Sequence, residues 1–170
     1  SRSLTNGALT LSSTALTTAG QVQGKNISLK ADDWQHGGTL LATGALKATV
    51  GDALVATGDI MSQGNLEVSA ASLDNRGNLL SAGDVNLSGA TVINSGIMQC
   101  NTLTARAHTL TNSIPLTGIS ALTLASRPEL PHPLLTLTIT SPVASLTSWT
   151  FNITACSVYI YGICQGHHIF

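Results

Sequence analysis

The sequence predicts an all-β protein, a right-handed single-stranded parallel β-helix of about six or seven coils of about 19 residues, with an irregular C-terminal tail. Apolar residues recur at near-constant intervals, and Gly and Asn recur between them. The composition agrees, because the 170 residues are 43% hydrophobic but only 9% charged and 4% aromatic. Small and β-branched residues with frequent turn formers favour many short strands.

Three apolar columns define the repeat. Each repeat begins with an apolar–x–apolar pair, and successive pairs start 18 to 20 residues apart. The pairs are Leu9/Leu11, Ile27/Leu29, Leu46/Ala48, Leu66/Val68, Val85/Leu87, Leu103/Ala105 and Leu122/Leu124. A second column follows at Leu16, Trp34, Leu54, Leu73, Val92, Leu110 and Leu130, and a third at Val22, Leu40, Ile60, Leu79, Met98 and Leu116. Each repeat therefore contains three predicted strands.

Glycine and polar residues mark the predicted corners between these strands. Two residues after the second column stand Thr18, His36, Ala56, Asn75, Asn94 and Asn112, and glycines follow at Gly20, Gly38, Gly58, Gly77 and Gly96. Gly and Asn tolerate positive φ, which a tight corner often needs. The sequence therefore predicts a corner at these positions.

A unit of this length cannot hide its own apolar residues, so we expect the coils to stack in parallel and cover one another. Leu66 and Val68 should then point inward while Glu67 points outward. A helical solenoid is excluded, because it needs longer repeats and apolar residues at helical spacing.

The stretch GNLEVSAASLDNRGNL (64–79) resembles the haemagglutinin repeat of filamentous haemagglutinins and related two-partner-secretion exoproteins, and residues 81–96 continue the likeness. The resemblance covers roughly residues 4–125. It implies a rod secreted to the cell surface of a Gram-negative bacterium, which carries adhesion sites or holds a toxin domain in contact-dependent inhibition. The implied partners are an outer-membrane secretion partner and an unspecified receptor or glycan on a host or neighbouring cell.

The composition changes towards the C-terminus, which predicts a β-helix over 1–125 and a divergent apolar tail over 126–170. All charged residues lie at or before Glu129, and four of the five prolines lie between 128 and 142. Three interpretations of the tail remain open: a cap with extra strands, a membrane segment, or an out-of-frame translation. The alternating stretch 134–140 favours strands.

No catalytic, cofactor-binding or metal-binding residue is predicted. Cys164, His167 and His168 are potential metal ligands, but an incidental cluster at the chain end is the favoured interpretation. Cys156 and Cys164 could form a disulfide only if their geometry allows it. Other residues that could carry chemistry have structural interpretations: Trp34 as core, Cys100 as a small inward or corner residue, and Asp32 with Asp33 as a solvated corner.

The predicted function is a structural or adhesive shaft segment of a large secreted exoprotein, an adhesin or toxin-delivery protein, and not an enzyme. A polysaccharide-active enzyme on the same architecture and a non-functional remnant of a disrupted adhesin gene are the alternatives. The net charge of −1 provides no basic field for a nucleic-acid partner. The open strand edges of a β-helix also predict end-to-end self-association.

Overall fold

A computed structural model describes residues 2–4, 7–112, 121–125, 134–139, 148–152 and 157–161, with side-chain burial for 7–111. These residues contain eighteen strands and no helix, so none of them forms a helix that could span a membrane. The strands are β1 (Arg2–Leu4), β2 (Leu9–Thr18), β3 (Gln21–Gly24), β4 (Ile27–His36), β5 (Thr39–Ala42), β6 (Leu46–Val50), β7 (Ala53–Ala56), β8 (Asp59–Ser62), β9 (Leu66–Ser69), β10 (Ser72–Asn75), β11 (Asn78–Ser81), β12 (Val85–Asn94), β13 (Ile97–Gln99), β14 (Thr102–Asn112), β15 (Ala121–Ala125), β16 (Leu134–Ile139), β17 (Ser148–Asn152) and β18 (Ser157–Tyr161).

The strands form two sheets of stacked parallel strands, as the sequence predicts. One sheet has six strands in the order β1-β3-β5-β8-β11-β13. The other has twelve and contains the strands of the first two apolar columns. Each described pairing is parallel and joins a strand to its counterpart one coil away, for example β6 with β9 and β9 with β12. This arrangement confirms the all-β parallel solenoid.

The three apolar columns are confirmed by strand register. Leu46 aligns with Leu66, and Leu66 aligns with Val85. These side chains are 0–1% exposed, whereas the intervening Lys47 and Glu67 are exposed. Aliphatic side chains stack on like side chains, so each coil buries the apolar residues of the next. The core is this continuous ladder.

The structure has about five turns, slightly fewer than the predicted six or seven. The complete coils are the first (β2, β3), second (β4, β5), third (β6–β8), fourth (β9–β11) and fifth (β12, β13). In the sixth, β14 supplies the first two columns, but the predicted third-column residue Leu116 lies outside the described residues.

The described strands of the tail continue the parallel pairing with a different coil length. Leu103 aligns with Leu122, which keeps the 19-residue interval. Leu110 aligns with Leu137, 27 residues later, so placing Leu130 in the second column was wrong. β17 then pairs with β15, and β18 with β16. The strand predicted around 134–140 is present, while the division at residue 125 stays a prediction.

The recurrent glycines have a different cause from the one predicted. Among the described residues, positive φ occurs at Gly20 alone (75°). At Gly38, Gly58, Gly77 and Gly96, an added Cβ would overlap the backbone carbonyl oxygen of the glycine one coil earlier. These positions therefore need glycine because successive coils approach each other closely at this corner, a common use of glycine in sheets.

Candidate functional site

A column of polar side chains runs inside the solenoid, next to the second apolar column. Thr18 aligns with His36, His36 with Ala56, Ala56 with Asn75, and Asn75 with Asn94. All five are buried, at 0–7% exposure. The sequence analysis placed these residues at corners for their backbone tolerance, which is wrong, because their side chains point inward. We call this set the polar column.

In the first two coils the polar column is a connected hydrogen-bond network. Trp34 Nε1 donates to Thr18 Oγ1 at 2.9 Å, and Thr18 Oγ1 lies 2.6 Å from His36 Nδ1. His36 Nε2 lies 2.7 Å from the carbonyl oxygen of Asp59. A carbonyl can only accept, so Nε2 carries the proton in the neutral ring and the Thr18 hydroxyl donates to Nδ1. The network thereby selects one tautomer of His36.

Burial controls the charge state of His36. Loss of solvation lowers the pKa of its imidazole below the usual value, although the hydrogen bond to the Asp59 carbonyl opposes the shift. A second proton on Nδ1 would also turn the bond from Thr18 around. The ring is therefore held neutral and serves as a structural hydrogen-bonding group.

In the fourth and fifth coils the polar column is an asparagine stack. Asn75 Nδ2 donates to Asn94 Oδ1 at 2.8 Å and lies 3.3 Å from the carbonyl oxygen of Ile97. Asn75 Oδ1 is buried and has no hydrogen-bond partner. Its neighbour in the column is Ala56, which has no side-chain donor. The column is thus interrupted at Ala56.

The remaining residues singled out in the sequence have structural settings. Trp34 is 0% exposed in the core, as predicted, and Cys100 is buried at 3%. Burial raises the pKa of the Cys100 thiol to about 11, so the thiolate is scarce at neutral pH. Asp32 and Asp33 are exposed, as a solvated corner requires.

The described residues contain no group of three or more His, Cys, Asp or Glu side chains that could hold a metal ion. The potential ligands at the chain end and the two cysteines considered for a disulfide fall outside the described part of the chain. These are Cys156, Cys164, His167 and His168.

A polar cavity of about 430 Å³ lies on the outer face of β9, β12 and β14. The outward side chains form two columns of three across the fourth, fifth and sixth coils, and the buried Val68 and Leu87 complete the lining. The first column is Glu67, Asn86 and Thr104, and the second is Ser69, Ser88 and Arg106. Sequence analysis missed this set, which we call the outer array, because its members come together only when coils are stacked.

The chain is similar along its length to several curated proteins. It is 47% identical over 169 residues to the 16S rRNA endonuclease CdiA of Enterobacter cloacae, and 45% identical over 168 residues to a tRNA nuclease CdiA of Escherichia coli. Each alignment covers 99% of this chain and 5% of the relative. A deoxyribonuclease CdiA of Dickeya dadantii is 32% identical over 73% of the chain and 3% of its own length. No protein-family model and no solved structure matches the chain.

These names correct one prediction and establish the family. The sequence analysis expected no enzyme, but most of the relatives are named as nucleases, so that expectation is wrong for the proteins in which this sequence occurs. The chain spans about 5% of the length of the first relatives it matches. The expected haemagglutinin-type exoprotein is confirmed: the chain belongs to the CdiA family of large two-partner-secretion exoproteins of contact-dependent inhibition.

Proposed function

We propose that this chain is a shaft segment of a large secreted contact-dependent inhibition protein, where it adds length and stiffness. The stacked coils support this role. Parallel backbone pairing and the continuous apolar ladder tie each coil to its neighbours. Repeats that contact only their neighbours build elongated structures whose length grows with repeat number.

One observation carries the proposal. Relatives that share this segment are named for different substrates, namely 16S rRNA, tRNA and, through the deoxyribonuclease, DNA. A segment that decided the substrate should differ with the substrate, yet the first two share 47% and 45% identity with this chain. We infer that the segment serves a task common to all of them, and that any nuclease specificity of the protein containing this chain is set elsewhere.

The proposal includes a place and partners. The protein would be exposed on the surface of a Gram-negative bacterium after export through an outer-membrane partner, and would reach a receptor or glycan on a neighbouring cell. The family assignment supports this setting. The outward residues Ser28, Thr49, Ser69 and Asn86 are uncharged and polar, which suits a solvated shaft.

We further propose that residues 126–161 continue the solenoid as extra strands. The parallel pairing of β16 with β14 and of β17 with β15 supports this interpretation. The alignment that takes in 99% of the chain also supports it, since an out-of-frame tail would not be expected to align. The same alignment disfavours a remnant of a disrupted gene.

The shaft role is tested by replacing the aligned segment of the Enterobacter cloacae relative with this chain, and then deleting one whole coil, residues 46–65. Leu66 then takes the position of Leu46, so the ladder is restored. We expect secretion and inhibition of neighbouring cells to persist. The matched control deletes residues 46–55, which breaks the ladder and should abolish both. A whole-coil deletion that is secreted normally but fails to inhibit would contradict a shaft role.

End-to-end association belongs to the same proposal. Leu9, Leu11 and Leu16 are only partly buried, whereas their counterparts in the second coil are 0–2% exposed. An open strand edge beside partly exposed apolar residues favours stacking on another chain. We expect the sedimentation coefficient of the isolated chain to rise with concentration. Replacing Leu9 and Leu11 with Lys should suppress the rise, and a concentration-independent monomer would refute the idea.

A further inference from the structure

We propose that the outer array binds a short, uncharged, hydroxyl-rich oligosaccharide that lies across three coils. Its cavity of about 430 Å³ falls within the size range of small-molecule sites. The proposal goes beyond the shaft role and is independent of it, because a shaft needs no ligand on this face.

The hydrogen-bonding groups of the outer array are unused within the described part of the chain. Its six side chains make no hydrogen bond or ion pair with another described residue, although Ser88 and Thr104 are already half-buried. In the polar column, by contrast, neighbouring coils satisfy most such groups. The array offers hydroxyls, an amide, a carboxylate and a guanidinium, and thus both donors and acceptors. Its surface can therefore match a ligand that carries both kinds of group along its length.

The charges of the array define the ligand further. Glu67 and Arg106 stand at diagonally opposite corners, two coils and two residues apart. Strand spacing and residue rise place their backbones about 12 Å apart, too far for a direct ion pair. A ligand that reaches both must be about as long as a short oligosaccharide. Since the two charges cancel, the array favours no net charge on the ligand.

Other polymers fit the array less well. Single-stranded nucleic acid needs a basic groove and aromatic side chains for base stacking. The lining residues include one cation, one anion and no aromatic ring. Sulfated or uronic-acid polysaccharides would meet the Glu67 carboxylate with only Arg106 to compensate. The hydroxyl groups of a neutral sugar can donate to Glu67 and accept from Arg106.

The experiment titrates the whole chain with cellotriose and chitotriose, and uses saturation-transfer NMR to detect contact. A sulfated heparin-type oligosaccharide is the acidic comparison. We expect at least one neutral trisaccharide to bind with a dissociation constant on the order of a millimolar, and more tightly than the sulfated probe. Arg106→Ala and Glu67→Ala should each weaken binding about tenfold, because each removes a charge-assisted hydrogen bond.

Lys30→Ala is the matched control, since Lys30 is exposed on the same sheet but lies outside the cavity. It should leave affinity unchanged, and circular dichroism should show all three variants folded. Failure of both neutral sugars to bind at about 10 mM would overturn the proposal. Unchanged affinity in both array variants, or preference for the sulfated probe, would overturn it as well.

Discussion

In the first two coils the polar column combines a hydroxyl, an indole and an imidazole, whereas in the fourth and fifth it is a stack of asparagines. Thr18, Trp34 and His36 come from two neighbouring coils and end on the carbonyl of Asp59. Asn75 and Asn94 hold each other directly. Both halves occupy the same register positions inside the same ladder. The comparison shows that the fold requires a satisfied buried polar group there but leaves its chemistry free.

The largest expected difference between the halves comes from the apolar residues beside the column. Trp34→Ala should lower the free energy of unfolding by about 3–5 kcal/mol, because it leaves a large cavity and removes the donor to Thr18. Leu73→Ala, the counterpart in the asparagine half, should cost less, about 2–3 kcal/mol. Urea unfolding followed by circular dichroism measures both. An equal or larger loss for Leu73→Ala would remove the proposed asymmetry.

The glycine corner should behave alike in both halves, because the close backbone approach does not depend on the side chains of the column. Gly38→Ala and Gly77→Ala should each cost about 3 kcal/mol, since the new Cβ would overlap a backbone carbonyl. Gly37→Ala is the control next in sequence, where the nearest atom to a new Cβ is Thr57 Oγ1 at 3.7 Å. It should change unfolding by less than about 0.5 kcal/mol. A tolerated Gly77→Ala would show that the corner can open.

Joining the two halves should stabilise the protein modestly. Ala56→Asn places an amide between His36 and Asn75, where it can donate to the unpartnered Asn75 Oδ1. We expect a gain of about 1 kcal/mol, the usual net contribution of a buried hydrogen bond. Ala56→Leu adds similar volume without a donor and should be destabilising. A loss of stability in both variants would mean that the interruption at Ala56 is required by packing.

The smallest expected effect is a pH dependence confined to the first half. The folded-state pKa of His36 is lowered by burial, so the folded protein binds fewer protons than the unfolded chain. Its contribution is complete above the unfolded pKa of about 6.5 and is lost as the pH falls towards the folded pKa. His36→Asn, which copies the other half, should flatten this part of the stability profile. Unfolding midpoints measured from pH 7.5 to pH 5.5 test this, and an unchanged slope in His36→Asn would contradict it.

Much of the fold could be predicted because periodic burial is written in the order of residues. Leu46, Leu66 and Val85 recur at nearly constant intervals, and their alignment in the structure follows those intervals. The prediction failed where the interval changed. The chain reaches the second column at Leu137 and not at Leu130, since pairing with β14 decides the register and not the residue count.

The candidate sites were less predictable. Glu67 and Arg106 are 39 residues apart in sequence, and no local motif connects them. His36 and Asn75 were recognised as periodic but given a corner role, because spacing alone does not show on which side of the backbone a side chain lies after a bend. Reading outward and inward positions column by column would have found both groups.

The sequence alone therefore determined the repeat, the parallel stacking and the identity of the apolar ladder, because repeated burial of aliphatic residues leaves a periodic pattern. Only the tertiary structure decided why the corners contain glycine, which polar side chains face inward, and which outward residues share one cavity. Those properties depend on contacts between residues one or two coils apart, about 5–10 Å in space, and such contacts exist only once the coils are stacked.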